Sequence, residues 1–197
     1  MANNHDVFYA QNREHFLKFD QQEMIDYFRL RHDDGNIYFR ILGKEAALDR
    51  KTAVVTVDGK MVGFGAAATA YDILSRAKNK PVLSGRWVSI TELGGSIATG
   101  HVSKLSSEHT GLEGRCEEIR EICRSWGGVE QKQGDVSFIV PLYDFFPVWV
   151  QFWDADDEFP AQFRCLWDAS TLDFMFYETT WYANGFLLGE LKGGHEK

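Results

Sequence analysis

Between residues 136 and 167 the chain carries three runs rich in β-branched and aromatic side chains, at 136–142, 148–153 and 162–167, separated only by turn-length segments. Gaps that short admit hairpins and exclude the long crossover that parallel strands need. The stretch therefore reads as an antiparallel meander, turning at Phe145-Phe146-Pro147 and again across residues 154–160. The same grammar occurs earlier. Residues 37–42 and 52–57 read as strands, with a turn at Gly43-Lys44-Glu45 and a short strand at 46–49 between them. Asp58-Gly59 closes this first meander with a type I′ signal.

Four helices are expected around these strands. Asp20 is an N-cap for a helix carrying Met24, Ile25, Phe28 and Leu30, and His32-Asp33-Asp34-Gly35 ends it. The others cover residues 65–78, about 105–126 with Gly127-Gly128 as the stop, and about 179–191. Helices and strands come in blocks, not in strict βαβ alternation. The expected fold class is therefore α+β, two antiparallel β-meanders packed with about four helices in a single domain over residues 1–191, followed by a flexible C-terminal tail, 192–197.

Charge narrows the partners. With 29 acidic against 21 basic residues in 197, the net charge of −8 argues against nucleic acid and against an anionic membrane surface. The N-terminus lacks a basic segment followed by an apolar run, no uncharged apolar stretch reaches membrane-spanning length, and Cys116, Cys123 and Cys165 form no CxxC pair. A cytoplasmic location is the expectation. Fourteen of the 28 aromatic residues fall within 143–182. They read first as the inner face of a second sheet against a helix, and second as the lining of a pocket.

Most chemical motifs fail on inspection. Gly63-Phe64-Gly65-Ala66-Ala67-Ala68 fits a dinucleotide fingerprint, but a turn separates it from the preceding strand and the later acidic residue is missing. Close helix packing is the better account. Residues 94–100 have the composition of an anion-binding nest without the ending of a P-loop. The six histidines are scattered, no serine-hydrolase elbow or zincin helix appears, and Cys116 and Cys123 have no companion ligands.

What remains is Trp153-Asp154-Ala155-Asp156-Asp157-Glu158-Phe159-Pro160, four carboxylates in five residues. It is not an EF-hand, since the sixth position from Asp154 is Phe159 and the twelfth Cys165. One reading is a solvated hairpin turn. The other is a site, with Phe159 and Pro160 pinning one side into the core and a carboxylate beside Trp153 or Phe159 raised in pKa by desolvation. Arg86, Arg164 and Arg40 are the candidate guanidinium partners.

This segment, with Leu166-Trp167-Asp168-Ala169-Ser170 after it, resembles the signature of a family of uncharacterised prokaryotic proteins, domain of unknown function 3786. Gly43, Trp87-Val88-Ser89 with Glu92-Leu93-Gly94-Gly95, and Gly134-Asp135-Val136-Ser137 are further matching pieces; Trp167 stands where the family usually has Phe. The resemblance runs from about Met24 to Leu191. It implies an anaerobe's protein with no established activity. Some members add a cysteine-rich iron–sulfur segment like that of corrinoid-linked carbon metabolism, which this sequence does not contain.

The sequence thus points to a non-catalytic domain that binds a small molecule or a protein partner. Its candidate site is Trp87, Glu92, Trp153, Asp156, Asp157 and Glu158. The alternatives are an enzyme holding Mg²⁺ or Mn²⁺ on Asp154, Asp156, Asp157 and Glu158, and a structural protein whose turn stabilises a homodimer or larger assembly. Ligand and cofactor identities are not encoded in any motif.

Overall fold

Two turns with paired positive φ angles set the first half of the molecule. Leu42 (φ 49°) and Gly43 (φ 74°) reverse the chain between β2 (Asn36–Ile41) and β3 (Lys44–Asp49). Asp58 (50°) and Gly59 (75°) do the same between β4 (Val55–Val57) and β5 (Lys60–Met61). Both pairs match the backbone that a right-twisted two-residue hairpin requires. At Gly43 there is a second constraint, because a Cβ would lie 2.8 Å from the carbonyl oxygen of Trp126.

The computed structural model describes residues 4–95 and 110–193. Within them the second meander is β8 (Val136–Tyr143), β9 (Phe146–Trp153) and β10 (Gln162–Asp168). Its first turn is Asp144-Phe145, one residue earlier than the prolines suggest. Pro141 and Pro147 face each other across the ladder, so the two missing N–H groups fall at one shared position. The meanders do not form two sheets. Ile41 pairs with Tyr143, the Leu42 N–H donates to the Leu142 carbonyl (3.2 Å), and one antiparallel ten-stranded sheet results, in the order β5-β4-β3-β2-β8-β9-β10-β6. The short β1 (Arg31–His32) pairs with β2, β7 (Val129–Glu130) with β8, and β6 is Trp87–Ser89.

Among the described residues seven α-helices accompany the sheet, and they correct several expectations. Asp20 caps α2 (Gln21–Phe28), accepting from the N–H groups of Gln22 and Glu23. That helix ends at Arg29 in the left-handed conformation, so His32 belongs to a strand and Asp33 builds the β1–β2 turn by accepting from Gly35 and Asn36. An unforeseen helix, α1 (Asn4–Lys18), precedes it. Helix α3 (Phe64–Ser75) starts at Gly63, and a Cβ on Gly65 would sit 3.0 Å from the Tyr182 carbonyl. The small residues there serve contact with α7 (Tyr177–Leu191). The long helix expected at 105–126 is only α5 (Cys116–Ser125): residues 110–115 are turn, and 105–109 lie outside the described residues. Short α4 (Ile90–Gly94) and α6 (Thr171–Phe174) complete the set.

The sheet's inner face, with Phe138, Val140, Phe146, Val148, Val150, Phe152, Cys165 and Trp167, joins Phe16, Ala67, Ala70, Ile119 and Leu187 in one buried cluster. The aromatic excess is split between this core and other surfaces. Trp149 and Trp153 stand half-exposed on the opposite face of the sheet, and Phe163 and Trp181 lie at its edge.

Candidate functional site

The acidic turn is largely occupied with its own backbone. Asp154 accepts from the N–H groups of Gly114 and Ala155 and from the Cys116 thiol (3.5 Å). These amide bonds hold its carboxyl below the usual carboxylate range. Asp156 accepts from Glu158 N–H (2.8 Å) and Phe159 N–H (2.7 Å), with the same effect on its pKa. The expected desolvation is therefore reversed for both. Phe159, 60% exposed, is not pinned into the core. Asp157 and Glu158 point into solvent from the outer part of the turn. Among the described residues no three His, Cys, Asp or Glu side chains are grouped so as to hold a metal ion.

The other sequence candidates sit elsewhere. In the β10 ladders Trp153 faces Gln162 while Trp87 faces Asp168, six residues along, or ~20 Å at strand rise. Trp87 packs edge-to-face with Trp149 (5.9 Å), and the Glu92 carboxylate pairs with Arg86 (3.0 Å). Arg164 lies over the Trp153 ring (5.4 Å) and donates to the Gln151 side chain; Arg40 pairs with Glu45. None of these three arginines is bonded to the turn. Trp87 and Trp153 share a sheet face but lie at opposite ends of β10, Trp87 on the side of the Arg86–Glu92 pair and Trp153 beside the acidic turn.

Convergence occurs at the sheet's edge. A cavity of about 460 Å³ lies between α4, the start of β10 and α7, lined by Ile90, Phe163, Trp181, Asn184, Gly185 and Leu188 among others. Three sequence features produce it. Helix α7 places residues 181, 184, 185 and 188 on one face by their helical spacing. Gly185 contributes no side chain, and a Cβ there would meet nothing within 4 Å. Strand β6 ends at Ser89, because Ser89 caps α4 by accepting from Glu92 N–H, so the chain leaves the sheet before reaching the first half of β10.

The wall mixes apolar side chains with Ser89, Thr91, Thr110, Gln162 and Arg164, and it holds one polar group out of balance. Asn184 is only 6% exposed, and among the described residues its Oδ1 has no hydrogen-bond partner. An unmade bond of this kind is costly in a finished core and ordinary in a site that awaits a donor. Among the described residues no carboxylate lines the cavity, although the chain is strongly acidic. Sequence reasoning missed this site because its parts lie far apart in the chain. The available clue was Asn184-Gly185 interrupting the apolar stripe of the last helix.

The thiols are not primed for chemistry. Burial pushes Cys123 up to about 12, raises Cys165 further in the same direction, and together with the bond to Asp154 raises Cys116. The thiolate is the reactive form, so all three are quieted. Among the described residues no helix is long and apolar enough to cross a membrane.

No curated protein and no solved structure matches the chain. A family match does exist, and it covers residues 20–189, which take in the whole sheet, the acidic turn and the cavity-lining face of α7. The chain belongs to the family described as Domain of unknown function (DUF3786).

Proposed function

We propose that this chain is a non-catalytic binding domain whose recognition site is the cavity between α4, β10 and α7. The observation that carries the reading is the buried Oδ1 of Asn184, without a hydrogen-bond partner among the described residues, in the wall of a cavity that is apolar at Ile90, Phe163, Trp181 and Leu188 and carries further polar side chains. Pockets that take small molecules or anchor side chains combine apolar lining with fixed polar groups. The quiet thiols and the self-satisfied acidic turn favour binding over turnover.

The test uses N-acetyl-tryptophanamide as probe, since it offers an apolar ring and amide donors. Titrated into ¹⁵N-labelled protein, it is expected to shift the amides of residues 89–91, 161–165 and 181–188 in the wild type. In Gly185→Leu, which fills the open space, those shifts are expected to vanish while the fold is kept. Shifts that are absent in the wild type, or unchanged in Gly185→Leu, overturn the assignment.

A further inference from the structure

Strand β10 is only half covered on its outer edge. β6 pairs with it at Leu166, Trp167 and Asp168 alone, whereas β9 follows it from Gln162 to Leu166 on the other side. Among the described residues no strand pairs with 162–165 on the β6 side. The direction of the free groups follows from the ladder. Ala169 N–H donates to the Arg86 carbonyl (2.8 Å), so the backbone groups of every second residue before it, Trp167, Cys165 and Phe163, point to the same side. For Cys165 and Phe163 that side is the cavity.

We propose that the occupant is an extended peptide segment of a protein partner, added to the sheet as a continuation of β6 along residues 162–165. The proposal rests on the cavity being a recognition site, and it names what is recognised. Main-chain bonds to an exposed strand edge supply affinity, and a pocket for an alternate side chain supplies specificity. Here the pocket lies directly under the edge and takes one apolar or aromatic side chain between Phe163, Trp181 and Leu188. The Asn184 Oδ1 accepts a donor from that residue.

Charge fixes the peptide's other end. β10 starts two residues after Pro160, so a strand laid on its first half runs toward the acidic turn. Among the described residues Asp157 and Glu158 make no ion pair, and both are exposed there. Among the described residues no carboxylate lines the cavity and two exposed, unpaired ones lie beyond its end, so the matching sequence is an apolar anchor followed, toward the turn, by Lys or Arg. A second copy of this chain is the less suitable occupant, since its own β10 is preceded by the same acidic turn, which brings carboxylates to carboxylates.

The test is a positional-scanning library of fluorescein-labelled hexapeptide amides, read by fluorescence polarisation against the full chain. Selection of an aromatic or leucine anchor with a basic residue toward one end is expected. Backbone N-methylation of the best peptide is expected to lower affinity more than ~10-fold at alternate residues and to change it little at the residues between. Asp157→Asn with Glu158→Gln, both on the surface, is expected to weaken binding ~3–10-fold at low salt, and 0.5 M NaCl is expected to erase the difference. Gly185→Leu is expected to abolish binding. No selected pool, indifference to N-methylation, or a wild-type dimer broken by the same surface variants overturns the peptide proposal. If N-acetyl-tryptophanamide still shifts the cavity amides in the wild type and not in Gly185→Leu, the recognition site stands and only the peptide falls. If neither probe binds, both readings fall.

Discussion

Ser84 donates both its backbone N–H (2.9 Å) and its hydroxyl (2.8 Å) to Oδ1 of Asp168. Gly85 N–H (2.7 Å) reaches Oδ2, and Ser170 adds its own N–H and hydroxyl. A single carboxylate at the end of β10 thereby ties down the loop that leads into β6 and sets where β6 begins along β10.

Burial pushes the Asp168 pKa up, but the bonds from Ser170 and Ser84 overcome it and hold the carboxyl at about 2. A depressed folded pKa contributes stability that is complete above the unfolded value near 4 and is lost as pH falls through about 2. The shift corresponds to about 2 kcal/mol. Asp168→Asn is expected to lose that amount in urea melts at pH 7 and to flatten the decline in stability between pH 4 and pH 2. An unchanged acid limb in the variant would show that Asp168 does not carry it.

Gly94 closes α4 against the Tyr177 ring, where a Cβ would lie 2.5 Å from two ring carbons. Gly94→Ala has to displace Tyr177, the first residue of α7, and is expected to cost about 1–3 kcal/mol as overpacking. The Tyr177 hydroxyl is buried without a partner, so Tyr177→Phe is expected to be neutral or slightly stabilising. Thermal melts of the two variants separate ring packing from hydroxyl bonding. Equal losses in both would contradict the assignment.

The four carboxylates of the acidic turn are expected to divide into two classes. Asp156→Ala removes the acceptor for two turn amides and is expected to lower Tm. Asp157→Ala and Glu158→Ala remove exposed groups whose side chains bond to none of the described residues, and are expected to leave Tm unchanged. A screen of Mg²⁺ and Mn²⁺ by thermal shift is expected to show no rise. A cation-dependent rise abolished by Asp156→Ala would restore the metal reading.

Local chemistry was the legible part of this molecule. The hairpin at Asp58-Gly59, the cap at Asp20 and the three runs from 136 onward each declare themselves within a few residues. Helix α1 did not, because its polar and aromatic residues follow no clear 3.6-residue stripe. The joining of the two meanders through Ile41 and Tyr143 is a pairing across a hundred residues, and no local pattern encodes it. The site was obscured for a related reason. Four acids in five residues are conspicuous in a sequence, yet backbone amides already satisfy two of them, while Ser89, Phe163 and Asn184 meet only once the sheet has closed.

Asp72 anchors the start of α7 to α3, accepting from Phe176 N–H (2.6 Å), the Thr179 hydroxyl (2.7 Å) and Arg76 Nε (3.4 Å). Burial raises its pKa above the ordinary value, and Thr179, Phe176 and Arg76 oppose the rise. For an acid with a raised folded pKa the linkage has the opposite sign to Asp168. The unfolded chain ionises first, so stability falls as pH climbs from the unfolded value near 4 through the raised one. Arg76 supplies the nearby positive charge, with its guanidinium also stacked 3.8 Å over the Phe176 ring. Arg76→Met keeps much of that stacking but removes the charge, which leaves a buried carboxylate uncompensated. The expected loss is about 2–3 kcal/mol at pH 7 and markedly less at pH 4, where the carboxyl takes up a proton at lower cost. Asp72→Asn in the same background is expected to recover part of the loss at pH 7 and almost none at pH 4. A double-mutant cycle measured at both pH values gives the coupling directly. A coupling energy that does not change with pH would mean that Arg76 acts on Phe176 alone.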